Sequence, residues 1–231
     1  MGEYGQFCPV AKAAEILDQR WTLLVIRELV AGSHRFNDIH RGVPRMSRTL
    51  LSKRLRMLVS QGLVSRHDGP DGPLYELTDA GEELAAVVEV IGQWGIRWMS
   101  SLSEEDLDPA LLAWDMQRRI AREALPPGRT VLAVSFDGAE PELRDWWFVL
   151  SPDEVDMCDD DPGFGTDVSM WSTVRTLVRI WRGELGWSDA VRAGDLRLDG
   201  TRQLREQVPA WFQLSPFAPV PRPKVPASVG S

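Results

Sequence analysis

Two cysteines in 231 residues, Cys8 and Cys158, are too few for a disulfide framework. The three histidines, His34, His40 and His67, show no metal-ligand spacing, so no bound metal is expected. A GxxxxGK phosphate loop and a GxSxG elbow are both missing, so neither a cofactor nor enzyme chemistry is expected. The run Asp159-Asp160-Asp161 precedes Pro162-Gly163 and reads as a solvated turn. No apolar run reaches about 18 residues, which argues against a membrane-spanning helix and a membrane partner. The opening MGEYGQFCPVAK has none of the basic-then-apolar pattern of an export signal, and a cytoplasmic chain is expected.

What is present is divided unevenly. Residues 1–100 carry 12 Lys/Arg and 12 Asp/Glu, whereas residues 101–231 carry 14 and 22, so the whole net charge of −8 lies in the second half. Seven of the ten tryptophans lie there too. An acidic half repels nucleic acid, so any such partner belongs to the first half. There, between Arg27 and Arg66, stand nine bases (Arg27, Arg35, Arg41, Arg45, Arg48, Lys53, Arg54, Arg56 and Arg66) against two acids, Glu28 and Asp38.

The periodicity of the first half is helical. Pro9 pre-sets a first turn, with Val10, Ala13, Ala14 and Leu17 at helical spacing. A second helix starts near Trp21 and ends at Gly32, and a short third one covers 36–41 before Gly42 and Pro44. Ser47 suits the N-cap of a basic helix in which Leu51, Leu55, Leu58 and Val59 form a buried face. Its outward side carries Arg48, Thr49, Ser52, Lys53 and Arg56, short hydroxyls and bases suited to phosphates and base edges of double-stranded DNA. Two short alternating runs, 63–66 and 74–77, flank a Gly/Pro/Asp turn and predict a β-hairpin with Arg66 and His67 as its DNA contacts. Arg35 joins the candidate interface from the start of the third helix. A long helix then runs from Asp79 to about Ser100, with Leu84, Val87, Val88, Ile91, Trp94 and Trp98 on one stripe. Gly92 and Gly95 inside it cost about 1 kcal/mol each in helix propensity, which close approach of a symmetric partner helix or simple internal packing would explain.

Helix-turn-helix plus hairpin is a winged helix. Cys8-Pro9, Trp21-Thr22-Leu23, Arg27-Glu28-Leu29, Arg35-Phe36…Ile39, Ser47…Leu51-Ser52-Lys53-Arg54-Leu55 and Gly62-Leu63-Val64 resemble the HxlR family of bacterial winged-helix transcription regulators. The strand Tyr75-Glu76-Leu77-Thr78 fits as well, while the acidic wing tip departs from the family's more basic one. The resemblance implies a homodimer, built from the first and last helices, on a pseudo-palindromic operator. It also makes Cys8 a redox candidate, since some members sense oxidants or electrophiles through the matching residue.

After a polar connector, Asp108-Pro109 starts a helix expected to continue to Ala124. The period then changes to two: strands are predicted at 130–136 and 144–150, with shorter ones near 155–157 and 167–171. Helices follow over TVRTLVRIW and WSDAVRAG, then a brief strand at 196–198, then a last helix from Thr201 towards Phe212. Helix, strands, then helices give an α+β class, with helices on one face of a mainly antiparallel sheet. The Leu-Val-x-Ile-Trp-x-Gly-Glu-Leu stretch (177–185) and Gly-Asp-Leu-x-Leu-Asp-Gly (194–200) resemble the sterol carrier protein type 2 family. That resemblance implies a hydrophobic tunnel; Phe136, Trp146, Phe148, Met170, Leu177, Trp181, Trp211 and Phe212 are candidates to line it, or else plain core.

The expected organisation is therefore a DNA-binding and dimerisation domain at 1–101, a ligand-binding domain at 102–216 and a Pro-rich, extended or disordered tail at 217–231. The expected function is transcription regulation, tuned by a hydrophobic small-molecule effector. The alternatives are a second domain that only oligomerises, and a regulator governed by Cys8.

Overall fold

The computed structural model describes residues 4–70, 72–99 and 101–223. The chain forms two compact units, Met1–Gly95 and Ile96–Ser231. The division falls inside a continuous helix, earlier than the connector around residue 101.

Unit 1 opens with α1 (Pro9–Leu17), α2 (Thr22–Val30), α3 (Phe36–Gly42) and α4 (Arg48–Ser60). A hairpin of β1 (Val64–Gly69) and β2 (Gly72–Leu77) follows, then α5 (Asp79–Glu82) and α6 (Leu84–Trp98). Val25, Ile26, Leu29, Ile39, Leu51, Leu55, Leu58 and Val64 make one buried cluster under α2, α3, α4 and β1. Each such leucine or isoleucine is worth about 1.5–3 kcal/mol in burial, and the leucine spacing of α4 is what directs its apolar side inward. The single long helix expected from Asp79 is instead α5 and α6, separated at Glu83. Gly81 is buried at that point, and a Cβ there would overlap the Leu63 carbonyl, so the chain passes closer than any other residue allows.

Unit 2 runs α7 (Pro109–Arg118), β3 (Thr130–Asp137), α8 (Pro141–Arg144), β4 (Asp145–Leu150), β5 (Val155–Cys158) and β6 (Val168–Thr173). It ends with α9 (Val174–Trp181), α10 (Trp187–Ala193), β7 (Leu196–Gly200) and α11 (Arg202–Trp211). The sheet order is β5-β4-β3-β6-β7. The sheet is mainly antiparallel, as expected, with one exception at its centre, where β3 and β6 pair in parallel. After the β3–β4–β5 meander the chain crosses back, and β6 takes the free edge of β3 running in the same direction.

The register aligns Met157, Phe148, Leu132 and Val168 in one row across four strands, and Trp146, Val134, Met170 and Leu198 in the next. These rows form the buried face, joined by Leu112 and Met116 of α7, Leu177 and Ile180 of α9 and Trp211 of α11.

Two more expectations are corrected. The helix expected to reach Ala124 stops at Arg118, because the backbone beyond it binds the end of α11: Ala121 N–H donates to the Trp211 carbonyl (2.8 Å) and Gln213 N–H to Arg119 (3.0 Å). The tail, expected to be extended or disordered from 217, is fastened over its described part. Ser215 N–H donates to the Trp181 carbonyl (2.9 Å), and Arg222 reaches the Arg182 carbonyl (2.6 Å) and Glu184 (3.5 Å). The carbonyls of Val178, Arg179 and Ile180 accept from the turn after α9, and this segment supplies donors to the next two, Trp181 and Arg182. Residues 224–231 of the expected tail lie outside the described residues.

Candidate nucleic-acid interface

The outer face of α4 is set by what holds its inner face. Ser47 caps the helix, its hydroxyl accepting from Leu50 N–H at 3.3 Å, a contact worth about 1 kcal/mol in such positions. The turn before it is pinned by Val43 and Met46, both buried, and by His40, whose Nε2 shares a 2.9 Å hydrogen bond with the Met46 carbonyl. Leu51, Leu55 and Leu58 are fully buried, leaving Arg48, Thr49, Lys53 and Arg56 exposed and Ser52 half-buried.

Arg48 donates to Asn37 Oδ1 (2.9 Å) and lies 5.9 Å over the Phe36 ring, so its guanidinium bridges α3 and α4. Arg56 Nε donates back to the Ser52 carbonyl at 3.3 Å. Lys53 and Thr49 project without a described polar partner for their side chains. Ser47, Arg48, Thr49, Ser52, Lys53 and Arg56 thus belong to one continuous helical segment, as the spacing expected.

Arg35, Arg66 and His67 sit on the hairpin side. Residues 34 and 35 pair with β2 through the Arg35–Leu74 bridge and the 2.9 Å bond from Tyr75 N–H to His34, and Arg35 also donates to the Gly72 carbonyl at 3.4 Å. Arg66 faces Asp68 at 2.7 Å and His67 faces Glu76 at 3.4 Å, so each of these wing residues meets an acid of the same hairpin. The acidic wing tip therefore offsets its own bases; Asp71 of that tip lies outside the described residues.

Not every base in the cluster contributes to the surface. Arg54 is 8 % exposed. Its guanidinium donates to the Gln19 side chain and, at 3.0 Å, to the Arg20 carbonyl, and burial lowers its pKa. It clamps α4 to the α1–α2 turn, where Trp21 holds a left-handed backbone (φ 78°) that bulky residues rarely adopt. Arg27 bonds the fully buried Glu28 at 2.7 and 2.9 Å and reaches the Gly42 carbonyl at 2.7 Å. A Cβ at Gly42 would overlap that carboxylate, so glycine is what lets α3 end against it. Of nine bases counted in the sequence, Arg27 and Arg54 are structural; seven remain against one acid, Asp38. Sequence periodicity carried a signal for Arg54, which lies three residues after Leu51 and four before Leu58, on the buried side.

The eight residues proposed to line a tunnel in unit 2 are brought together in its core. Phe136, Trp146, Phe148, Met170, Leu177, Trp211 and Phe212 are buried and Trp181 is half-buried. Leu177, Trp181 and Phe212 border a void of about 10 Å³, room for at most one water. Cys8 is the half-exposed N-cap residue of α1, and both cysteines are free thiols. Burial, and then Asp156, Asp159 and Asp160, push the Cys158 thiol up from its ordinary value. Among the described residues no group of three or more His, Cys, Asp or Glu is placed to hold a metal, and no helix is long and apolar enough to cross a membrane.

Comparison with known proteins finds sequence similarity mainly over the residues of unit 1. Residues 16–103 match the model of the HxlR-like helix-turn-helix family. The uncharacterized HTH-type transcriptional regulator YvaP of Bacillus subtilis is 38% identical over 98 residues, covering 41% of this chain and 91% of that protein. The uncharacterized HTH-type transcriptional regulator Rv3095 of Mycobacterium tuberculosis is 42% identical over 95 residues, 39% of this chain and 58% of that protein. Among solved structures, the reduced form of the transcriptional regulator YodB from B. subtilis is similar at 31% identity, over 40% of this chain and 95% of that one, with a TM-score of 0.36.

Proposed function

The chain belongs to the HxlR-like helix-turn-helix family, and from that premise we propose that it is a cytoplasmic transcription regulator that binds double-stranded DNA as a homodimer. The observation that carries this reading is the outer face of α4, where Arg48, Thr49, Lys53 and Arg56 are exposed over a helix whose other side is fully buried. Arginine and lysine on such a face neutralise phosphates, while the short hydroxyls of Ser47, Thr49 and Ser52 reach base edges. Arg35, Arg66 and His67 add backbone contacts from the hairpin side, weakened at the wing by Asp68 and Glu76.

The homodimer is supported by apolar surface left open within the chain. Along α6, Val87, Ile91, Trp94 and Trp98 recur at i, i+4, i+7 and i+11 and are all exposed, Trp94 at 55 % and Trp98 at 56 %. Phe7, wholly exposed just before α1, and Val10 within it are further exposed apolar side chains, and α1 has no buried residue. Contiguous apolar surface of this kind marks an association site. A Cβ on Gly95 would meet open space, which leaves a place for a second helix to approach. Two copies of α4 would then enter successive major grooves roughly one turn, about 10 bp, apart.

Unit 2 completes the proposal as the holder of a hydrophobic effector, as its resemblance to the sterol carrier protein type 2 family implies. Leu177, Trp181 and Phe212, which border the small internal void, are where such a molecule would enlarge the core. A coupling of about 1–3 kcal/mol between the units suffices for regulation.

Hydroxyl-radical footprinting of DNA upstream of the protein's own gene tests the reading. Two protected segments about one turn apart are expected; a single uninterrupted patch, or no protection at low salt, would overturn it.

A further inference from the structure

Unit 2 carries an open groove of about 710 Å³ on its outer side, between α10, β7 and α11, well apart in size from the 10 Å³ void of the core. Its apolar walls come from Trp187, Val191, Leu198 and Pro209. Its charged groups are Arg192, Arg202, Arg205 and Glu206, three cations to one acid in a half of the chain that is otherwise strongly acidic.

Those arginines are weakly committed. Arg192 pairs with Asp189 (2.8 Å) and Arg202 with Glu206 (2.8 Å), each within its own helix and largely exposed. Exposed pairs of that kind contribute little and are readily exchanged for a better anion. The Arg205 guanidinium has no partner among the described residues. Arg202 and Arg205 lie one turn apart on α11, spaced to offer donors to one head group.

Trp187 ties this groove to the core. It lines the groove, borders the internal void and stacks on Phe212 with ring centroids 6.0 Å apart and planes 19° from parallel. An apolar body lying in the groove therefore rests on a side chain whose far neighbours are Phe212 and the core.

We infer that this groove binds an amphiphilic organic anion, its carboxylate or phosphate head held by Arg202 and Arg205 and its apolar body lying over Trp187, Val191, Leu198 and Pro209. An arginine fork matches the oxygens of either head group, and an apolar wall with a few convergent polar groups is the usual composition of a ligand site. The inference rests on the reading that unit 2 holds an effector, and it places that effector's entry outside the core.

Calorimetric titration of the full chain with decanoate, decyl phosphate and 1-decanol, each below its aggregation threshold, tests it. The two anions are expected to bind at least tenfold more tightly than the alcohol, and whichever anion binds better identifies the head group. Arg202→Ala with Arg205→Ala, both at exposed positions, is expected to erase that preference. Val191→Trp, filling the groove from an exposed position, is expected to weaken anion binding at least tenfold. Absent anion binding, equal binding of acid and alcohol, or a preference that survives the double substitution would overturn the inference. If decanoate binds as stated but leaves DNA affinity unchanged, the groove stands and the effector role proposed above falls.

Discussion

Two helices of unit 1 have nearly the same sequence pattern and opposite fates. In α4, Leu51, Leu55 and Leu58 follow helical spacing and are completely buried by α2, α3 and β1. In α6, Val87, Ile91, Trp94 and Trp98 follow it equally well and remain exposed. Periodicity states that a stripe needs covering; it does not state by what. For α4 the cover lies in the same chain, and the opposite side of the helix is freed for charge. In α6, Leu84 and Val88 pack against the core, but Val87, Ile91, Trp94 and Trp98 are left exposed by the described residues, and large apolar surface of that kind is seldom left in water.

The contrast can be broken at its strongest point first. Leu55→Ala is expected to cost roughly 2–5 kcal/mol, because it empties a closed core. Urea unfolding followed by circular dichroism would show this as a lower midpoint. Trp94→Asp should leave the monomer fold intact while shifting the sedimenting species towards the 25.9 kDa single chain. If Trp94→Asp unfolds the protein instead, the stripe of α6 is internal core and the comparison fails.

Next in size is the ion pair that looked like surface charge. Arg27→Ala removes the guanidinium bound to fully buried Glu28 and is expected to cost roughly 3 kcal/mol. Thermal unfolding would report it, whereas a loss of DNA affinity with unchanged stability would place Arg27 in the interface. The smallest effect concerns the Cys158 thiol. With its pKa raised by burial and three nearby aspartates, Cys158 holds less thiolate near neutral pH than a free cysteine. Its alkylation by iodoacetamide, followed by mass spectrometry from pH 7 to 10, should rise at higher pH than that of a free thiol; a curve at or below the free thiol's would contradict the burial argument.

Much of the fold was legible because it rests on local rules. The Ser47 cap, the leucine spacing of α4 and the Gly/Pro/Asp turn of the hairpin each depend on near neighbours, and each appears where the residues imply. What escaped depends on distant partners. Nothing local to Arg54 says that its charge ends on Gln19 and the Arg20 carbonyl, so a count of bases overstated the surface. The early end of α7 is decided by Trp211 and Gln213, about a hundred residues away. The parallel pairing of β3 and β6 follows from the edge left free by β4, which strand periodicity does not encode. In the tail, proline content suggested an extended segment, but the Trp181 and Arg182 carbonyls gave Ser215 and Arg222 something to bind. The exposed face of α4 was legible because its residues lie on one continuous helix, whereas Arg35, Arg66 and His67 come from the hairpin side. The groove in unit 2 was not, because Arg192 and Leu198 come from different elements than Arg202 and Arg205.

The central claim, that the outer face of α4 grips DNA, is tested most directly by fluorescence anisotropy on the footprinted fragment between about 50 and 200 mM salt. The wild-type affinity is expected to fall steeply with salt. Arg48→Ala with Lys53→Ala should weaken binding by at least tenfold and flatten that slope by about two phosphate contacts, with the circular dichroism spectrum unchanged. Equal affinity and equal slope in the double variant would contradict the claim and move the contact away from α4.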